Sequence, residues 1–212
     1  MKTAIFYATL LASNIAMAAT PIDGWYGSVF GGYTDMPNNL STTVGGFTRT
    51  DASYKSGYNA GGQIGFKSNP MRYEGEITYV QADLEHFAIN KIRQFAVNGN
   101  TSGTFGMANI YYDFFDFVPA IAPFAGLGLG YGWIDSTMSS NTVFGPTSFH
   151  GSNSVFAYQA TAGLTYNFSE NYALNIAYRY IGTDRVDDLG RVFQANLATA
   201  GVVYRFNAAT YK

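Results

Sequence analysis

Residues Ser154–Tyr180 read SVFAYQATAGLTYNFSENYALNIAYRY, and the alternation along this stretch decides the fold. Phe156, Tyr158, Ala160, Ala162, Leu164, Tyr166 and Phe168 share one parity, while Ala157, Gln159, Thr161, Gly163, Thr165 and Asn167 share the other. A period of two over thirteen residues marks a β-strand with one face in apolar surroundings. After Ser169-Glu170-Asn171 the pattern resumes, with Tyr172, Leu174, Ile176, Tyr178 and Tyr180 set against Ala173, Asn175, Ala177 and Arg179. Two such runs about a tight turn predict an antiparallel hairpin. Its strands exceed the roughly 5–6 residues usual in soluble sheets and suit the roughly 9–11 of a tilted membrane-crossing strand. The hairpin reads as one wall of a transmembrane β-barrel.

The N-terminus supports export. Lys2 gives a positive start, residues 4–12 are mostly apolar, and Ala16-Met17-Ala18 is an A-x-A cleavage site. These features predict a secretory signal peptide over residues 1–18, cut after Ala18, and a single barrel domain over residues 19–212. The apolar run is too short for an anchoring helix, which needs about 20 residues.

Composition narrows the class. Removing Lys2 leaves eleven basic residues against fourteen acidic ones, a net charge of −3, so no basic patch points to nucleic acid. The chain has no cysteine, whereas small exported soluble domains often rely on disulfides; a closed hydrogen-bonded ladder in lipid is an alternative source of stability. Charged residues make up only 12%, about half the usual share of soluble domains. Aromatics reach 17%, with seventeen Tyr and seventeen Phe. Mean hydropathy is near zero, as expected when outward apolar and inward polar residues cancel along each strand.

In chain order, residues 24–33 form strand one, whose outward set is either Trp25, Val29 and Tyr33 or Tyr26 and Phe30. Strand two, residues 54–67, sends Tyr58, Ala60, Gly62, Ile64 and Phe66 outward. Ser68-Asn69-Pro70 is a tight turn. Strand three, residues 71–83, turns Tyr73, Ile77 and Tyr79 out and Arg72, Glu74, Glu76 and Thr78 in. Strand four, residues 103–114, sets Met107, Asn109, Tyr111 and Asp113 against Ala108, Ile110, Tyr112 and Phe114. Strand five, residues 122–135, alternates four glycines (Gly126, Gly128, Gly130, Gly132) with Ala125, Leu127, Leu129, Tyr131 and Trp133. The opening hairpin supplies strands six and seven, and residues 193–206 form strand eight. Long polar loops are expected at residues 34–53, 84–102, 136–153 and 181–192. Eight strands with short turns alternating with long loops predict an all-β, antiparallel up-and-down transmembrane barrel, its short turns periplasmic and its long loops extracellular. Tyr73, Tyr79, Tyr112, Tyr131, Trp133, Tyr178 and Tyr204 are expected in the interfacial aromatic girdles.

The segments GWYGSVFGGY, SGYNAGGQIGF, PFAGLGLGYG, LNIAYRYIGT and NLATAGVVYRF resemble the eight-stranded outer-membrane barrel superfamily, which includes the OmpA-like transmembrane domain, opacity-type surface proteins and small barrels of intracellular Gram-negative bacteria. The likeness spans nearly the whole mature chain and marks architecture, not an activity. It implies a monomer in the Gram-negative outer membrane that contacts outer-membrane lipid and lipopolysaccharide and is inserted by the barrel assembly machinery. Its implied roles are structural envelope protein, surface antigen, adhesin acting through the loops on a host or cell-surface ligand, or narrow gated pore. Two departures stand out. No peptidoglycan-binding domain is expected after strand eight, and residues 207–212 follow Phe206 where the family usually ends on the last strand's aromatic.

The charged residues of inward parity are Lys67, Arg72, Glu74, Glu76, Asp113, Arg179 and Arg205. An eight-stranded barrel is just wide enough for side chains to fill it, and buried charges must pair. A lumen ion-pair network is therefore expected, with Glu74 and Glu76 accepting from Arg179, Arg205, Arg72 or Lys67 and the glycines of strand five leaving room for arginines. Its role is a structural plug or, alternatively, a gate. No catalytic, cofactor or metal site is expected. His150-Gly151-Ser152-Asn153 resembles the H-x-S-N motif of outer-membrane lipid A deacylases, but it is placed at a loop end with its next acid, Glu170, a strand length away. Asp184, Asp187 and Asp188 lack calcium-loop spacing, and His86 has no companion for a zinc site.

Overall fold

Eight antiparallel strands close on themselves. The computed structural model describes residues 23–37, 39–42, 49–54, 56–89, 92–93, 97–114, 120–142, 145–186 and 191–206. The strands are β1 (Gly24–Asp35), β2 (Gly57–Ser68), β3 (Met71–Ile89), β4 (Val97–Asp113), β5 (Ile121–Thr142), β6 (Gly145–Asn167), β7 (Tyr172–Val186) and β8 (Arg191–Arg205). Each pairs with its chain neighbour, and β1 pairs with β8 from Tyr26↔Arg205 to Asp35↔Asn196. That closure leaves no open sheet edge at membrane depth, where an unsatisfied backbone group would cost several kcal/mol. No helix among the described residues is long and apolar enough to cross a membrane.

The parity rule holds on every strand. In the deciding hairpin Phe156, Tyr158, Leu164, Tyr172, Leu174, Ile176 and Tyr178 are exposed, whereas Ala157, Gln159, Thr161, Asn175 and Arg179 are buried. Ile77, Leu127 and Ile176 each leave about 65% of their surface uncovered. A continuous apolar belt of this kind is a lipid-facing surface, because soluble monomers rarely expose large contiguous apolar patches. Strand one is settled as well: Trp25, Val29 and Tyr33 face out, and Tyr26 and Phe30 face in. Aromatics gather at both margins of the belt. Trp25, Phe66, Tyr73, Tyr112, Phe114, Phe168, Tyr172, Tyr204 and Phe206 ring the turn end, and Tyr33, Tyr58, Tyr79, Tyr131, Trp133, Phe156, Tyr158 and Tyr178 ring the other. Edge-on pairs such as Trp25–Phe66 (5.6 Å) and Tyr131–Phe156 (6.1 Å) link neighbouring strands within each ring.

The strands outrun their expected ends. β3 continues to Ile89, β4 begins at Val97, β5 reaches Thr142 and β6 starts at Gly145. Most of residues 84–102 and 136–153, expected as loop, is therefore paired strand. Residues 181–186 and 191–192 likewise extend β7 and β8. Within residues 34–53, Asn39–Thr42 pairs with Arg49–Tyr54, which in turn pairs with the upper part of β3. The β5–β6 register runs unbroken from Ile121↔Tyr166 to Thr142↔Gly145. Once a ladder is in register at the barrel rim, each further residue adds backbone hydrogen bonds, whatever its side chain. The expected signal peptide at residues 1–18 and the tail at residues 207–212 lie outside the described residues.

The lumen has two zones. At the turn end it is polar and charged. At the other end Val80, Phe105, Met107, Ile134, Ala157, Ile181, Phe193 and Leu197 form an apolar core, each with 9% or less of its surface exposed. Phe105 and Phe193 lie 5.3 Å apart at its centre. Apolar side chains thus share the lumen with the charged ones expected to fill it.

Candidate functional site

Six of the seven inward charges come from the turn-end half, and the seventh, Arg179, sits farther along β7, opposite Thr161 and Leu197. β2 ends with Lys67, and β3 begins with Arg72, Glu74 and Glu76 at successive inward positions. β4 ends with Asp113, β7 contributes Arg179 from its middle, and β8 ends with Arg205. All are buried, with no more than 6% of their surface exposed.

Two groups form. In the deeper one, Arg179 Nη1 stands 2.7 Å from Glu76 Oε1, and its guanidinium lies 4.2 Å over the Phe30 ring. Glu76 also accepts from Thr78 Oγ1 at 2.6 Å and from Asn109 Nδ2 at 3.0 Å. Gln159 Nε2 donates to Asn109 Oδ1 at 2.7 Å, so the chain of contacts ties β7, β3, β4 and β6 across the lumen. A carboxylate that meets one guanidinium and two further donors has most of its lone pairs satisfied. That satisfaction is what makes a buried charge tolerable.

The second group lies at the mouth. Asp113 takes Lys67 Nζ at 2.8 Å on one oxygen and Arg72 Nε at 2.9 Å on the other. Arg72 also reaches Glu74 Oε1 at 3.4 Å, and Tyr26 OH donates to that same oxygen. The Arg72 guanidinium packs 4.6 Å from Phe124 and 5.0 Å from Tyr111, replacing lost hydration with cation–π contact. Arg205 donates to neutral oxygens, Asn167 Oδ1 at 2.5 Å and the Glu170 carbonyl at 3.3 Å.

The partners differ from expectation at two points. Lys67 meets Asp113, and Arg205 meets an amide and a carbonyl, where the glutamates were expected to accept both. The reason is register. Pairing sets Lys67 opposite Arg72 and Arg72 opposite Tyr111, so Asp113, two residues past Tyr111, is level with the turn. Glu74 and Glu76 sit one and two inward steps deeper. The strand-five glycines also serve other side chains than the arginines. A Cβ on Gly128 would fall 1.9 Å from Asn109 Oδ1, and one on Gly126 would fall 2.2 Å from the Tyr111 ring. The members that charge alone could not find are Tyr26, Gln63, Thr78, Asn109, Gln159 and Asn167. Inward parity marks all of them but Tyr26, whose strand leaves both facings open.

The His150-Gly151-Ser152-Asn153 string lies on β6 and not at a loop end, with Ser152 opposite Asp135 in the β5 ladder. Glu170 lies in the turn that follows β6 at the other end of the barrel. Among the described residues no three His, Asp or Glu side chains converge as metal ligands would; Asp187 and Asp188 lie outside them.

A closed antiparallel ladder, apolar outside between two aromatic rings and charged within, defines a membrane-spanning β-barrel. The chain belongs to the outer membrane protein beta-barrel domain family, whose model matches residues 4–206, and it is a protein of the Gram-negative outer membrane. Its fold is similar to that of OprG, an outer membrane protein of Pseudomonas aeruginosa (TM-score 0.58, 13% identity, 90% of this chain and 100% of that one). It is also similar to Neisserial surface protein A (TM-score 0.54, 16% identity, 86% and 97%). Ail of Yersinia pestis, solved with the heparin analogue sucrose octasulfate, is 19% identical over 87% of this chain and 100% of that one, with a TM-score of 0.46. No curated protein sequence matches the chain.

Proposed function

We propose that this barrel is a structural and surface-interaction protein of the outer membrane, with a filled lumen and with adhesive contacts made by the β-hairpins that project beyond the outer aromatic ring. The observation that carries this is the β5–β6 ladder. Past Trp133, β5 runs nine more residues to Thr142, about 30 Å along the strand. β6 pairs with β7 only as far as Ala157↔Thr183. Among the described residues, 145–156 therefore have no ladder partner on the β7 side. An exposed strand edge is a template for an added strand from another chain. The composition there, Ser, Thr, Asn and Gly with little charge, suits main-chain recognition.

The test replaces residues 137–150 with a two-residue turn and compares adherence of expressing bacteria to cultured host cells at matched surface display. Adherence should fall to the level of bacteria lacking the protein; undiminished adherence removes the hairpin from the role. A pore is the alternative, but the apolar core above the charged zone favours a plug. No lipid hydrolysis is assigned to Ser152, so Ser152→Ala and the parent should release equal amounts of labelled fatty acid from outer-membrane lipid.

A further inference from the structure

Arg205 closes β8 at the mouth of the barrel and lines a cavity of about 10 Å³ together with Tyr26, Lys67, Arg72, Asp113, Thr165 and Asn167, with Ala122 and Val203 completing the wall. Its charge is the odd one in the group. Lys67 and Arg72 share Asp113, and Arg72 also has Glu74. Among the described residues Arg205, 6% exposed, reaches only the neutral oxygens of Asn167 and Glu170. Arg72 Nε and Asp113 Oδ1 meet each other as an ion pair at 2.9 Å without a hydrogen bond, while among the described residues three further buried polar atoms of the lining have neither a hydrogen bond nor an ion-pair partner: Arg72 Nη2, Asn167 Nδ2 and Thr165 Oγ1. Two of these are obligate donors and the third is a rotatable hydroxyl. Leaving such groups unmet in a buried setting is costly, so something should sit among them.

We infer that the mouth cavity is a binding site for one monovalent, monatomic anion, chloride under ordinary conditions. The sign follows from the leftover guanidinium and the surplus of donors, which repel a metal cation. The size follows from the volume, which suits one small, near-spherical species. The valence matches the one positive charge left uncompensated among the described residues. Bound there, the anion completes the charge balance of the mouth and ties β8 to β3 and β6 beside the seam where the barrel closes. This role is independent of any adhesive function of the hairpins.

The full chain, refolded into detergent micelles, is unfolded in urea with sodium chloride or sodium bromide, and with sodium gluconate at equal ionic strength. The halides should raise the unfolding midpoint in a saturable way, and the rise should be lost in Arg205→Gln and weakened in Thr165→Val. Crystals grown in bromide should show an anomalous peak between Arg205, Asn167 and Thr165. Identical midpoints in halide and gluconate, a rise that survives in Arg205→Gln, or a water in place of the bromide peak each overturn the site. Should Arg205→Gln fail to refold, Thr165→Val and the bromide crystals of the parent still decide.

Discussion

Glu76 holds the deeper polar group together, because Arg179, Thr78 and Asn109 all converge on its two oxygens. Both members of the Arg179–Glu76 pair are buried, with side-chain exposures of 4% and 0%. Removing one partner leaves the other charge uncompensated, which costs about 3–5 kcal/mol. Glu76→Ala should destabilise the refolded barrel by that amount in urea titrations. Replacing both partners by apolar residues removes the orphaned charge, so Glu76→Leu with Arg179→Met should be far less damaging than the two single losses added together. Additive losses would mean that the pair does not act as a unit. Which residues meet here was only partly legible beforehand. Inward parity picked out every charged member, because a two-residue period assigns a face without any knowledge of neighbours. It could not supply partners, since Lys67 reaches Asp113 through the register of three strands. A shift of two residues in either pairing would have matched Lys67 with a different carboxylate.

At the scale of the element, alternation located all eight strands, yet their outer ends were misread for a physical reason. Alternation is visible only where the two faces meet different media. Between the aromatic rings one face meets lipid and the other a polar lumen, so Leu164 and Thr165 are sorted. Beyond Trp133 water bathes the outside, and residues 136–153 become a run of Ser, Thr, Asn and Gly that looks like a loop. The same limit hid the apolar zone. At Trp133-Ile134 and Phe156-Ala157 both faces are apolar, one for lipid and one for the core, and the contrast disappears. Because the projecting ladder lies outside the closed portion, it should be dispensable for folding. Replacing residues 137–150 with a short turn removes no residue of the charged groups or of the apolar core. The variant should unfold at nearly the same urea concentration as the parent and keep its heat-modifiable migration on gels. A large drop in the midpoint would show that the hairpin is part of the cooperative unit.

At the scale of the whole molecule, the two lumen zones make different demands on any solute. A hydrated ion entering from the turn end meets Lys67, Arg72 and Asp113, then the Arg179–Glu76 crossing. Breaking that crossing by itself should open nothing, because the far half holds the buried apolar cluster that includes Phe105, Ile134, Ile181, Phe193 and Leu197. Passage through such a layer requires an ion to shed its hydration with no polar group to replace it, a cost of many kcal/mol. Apolar constrictions act as barriers by dewetting. The parent protein in planar bilayers should therefore show no stepwise conductance, and neither should the variant carrying Glu74→Ala and Glu76→Ala. Conductance should appear only when the apolar layer is also breached, for example by adding Phe105→Ser and Phe193→Ser to the two glutamate changes. Discrete openings in the glutamate variant alone would place the barrier in the charged zone and turn the lumen from a plug into a gate. Silence in all variants, with folding verified by gel shift, would mean that the remaining side chains fill the barrel well enough to seal it from either half.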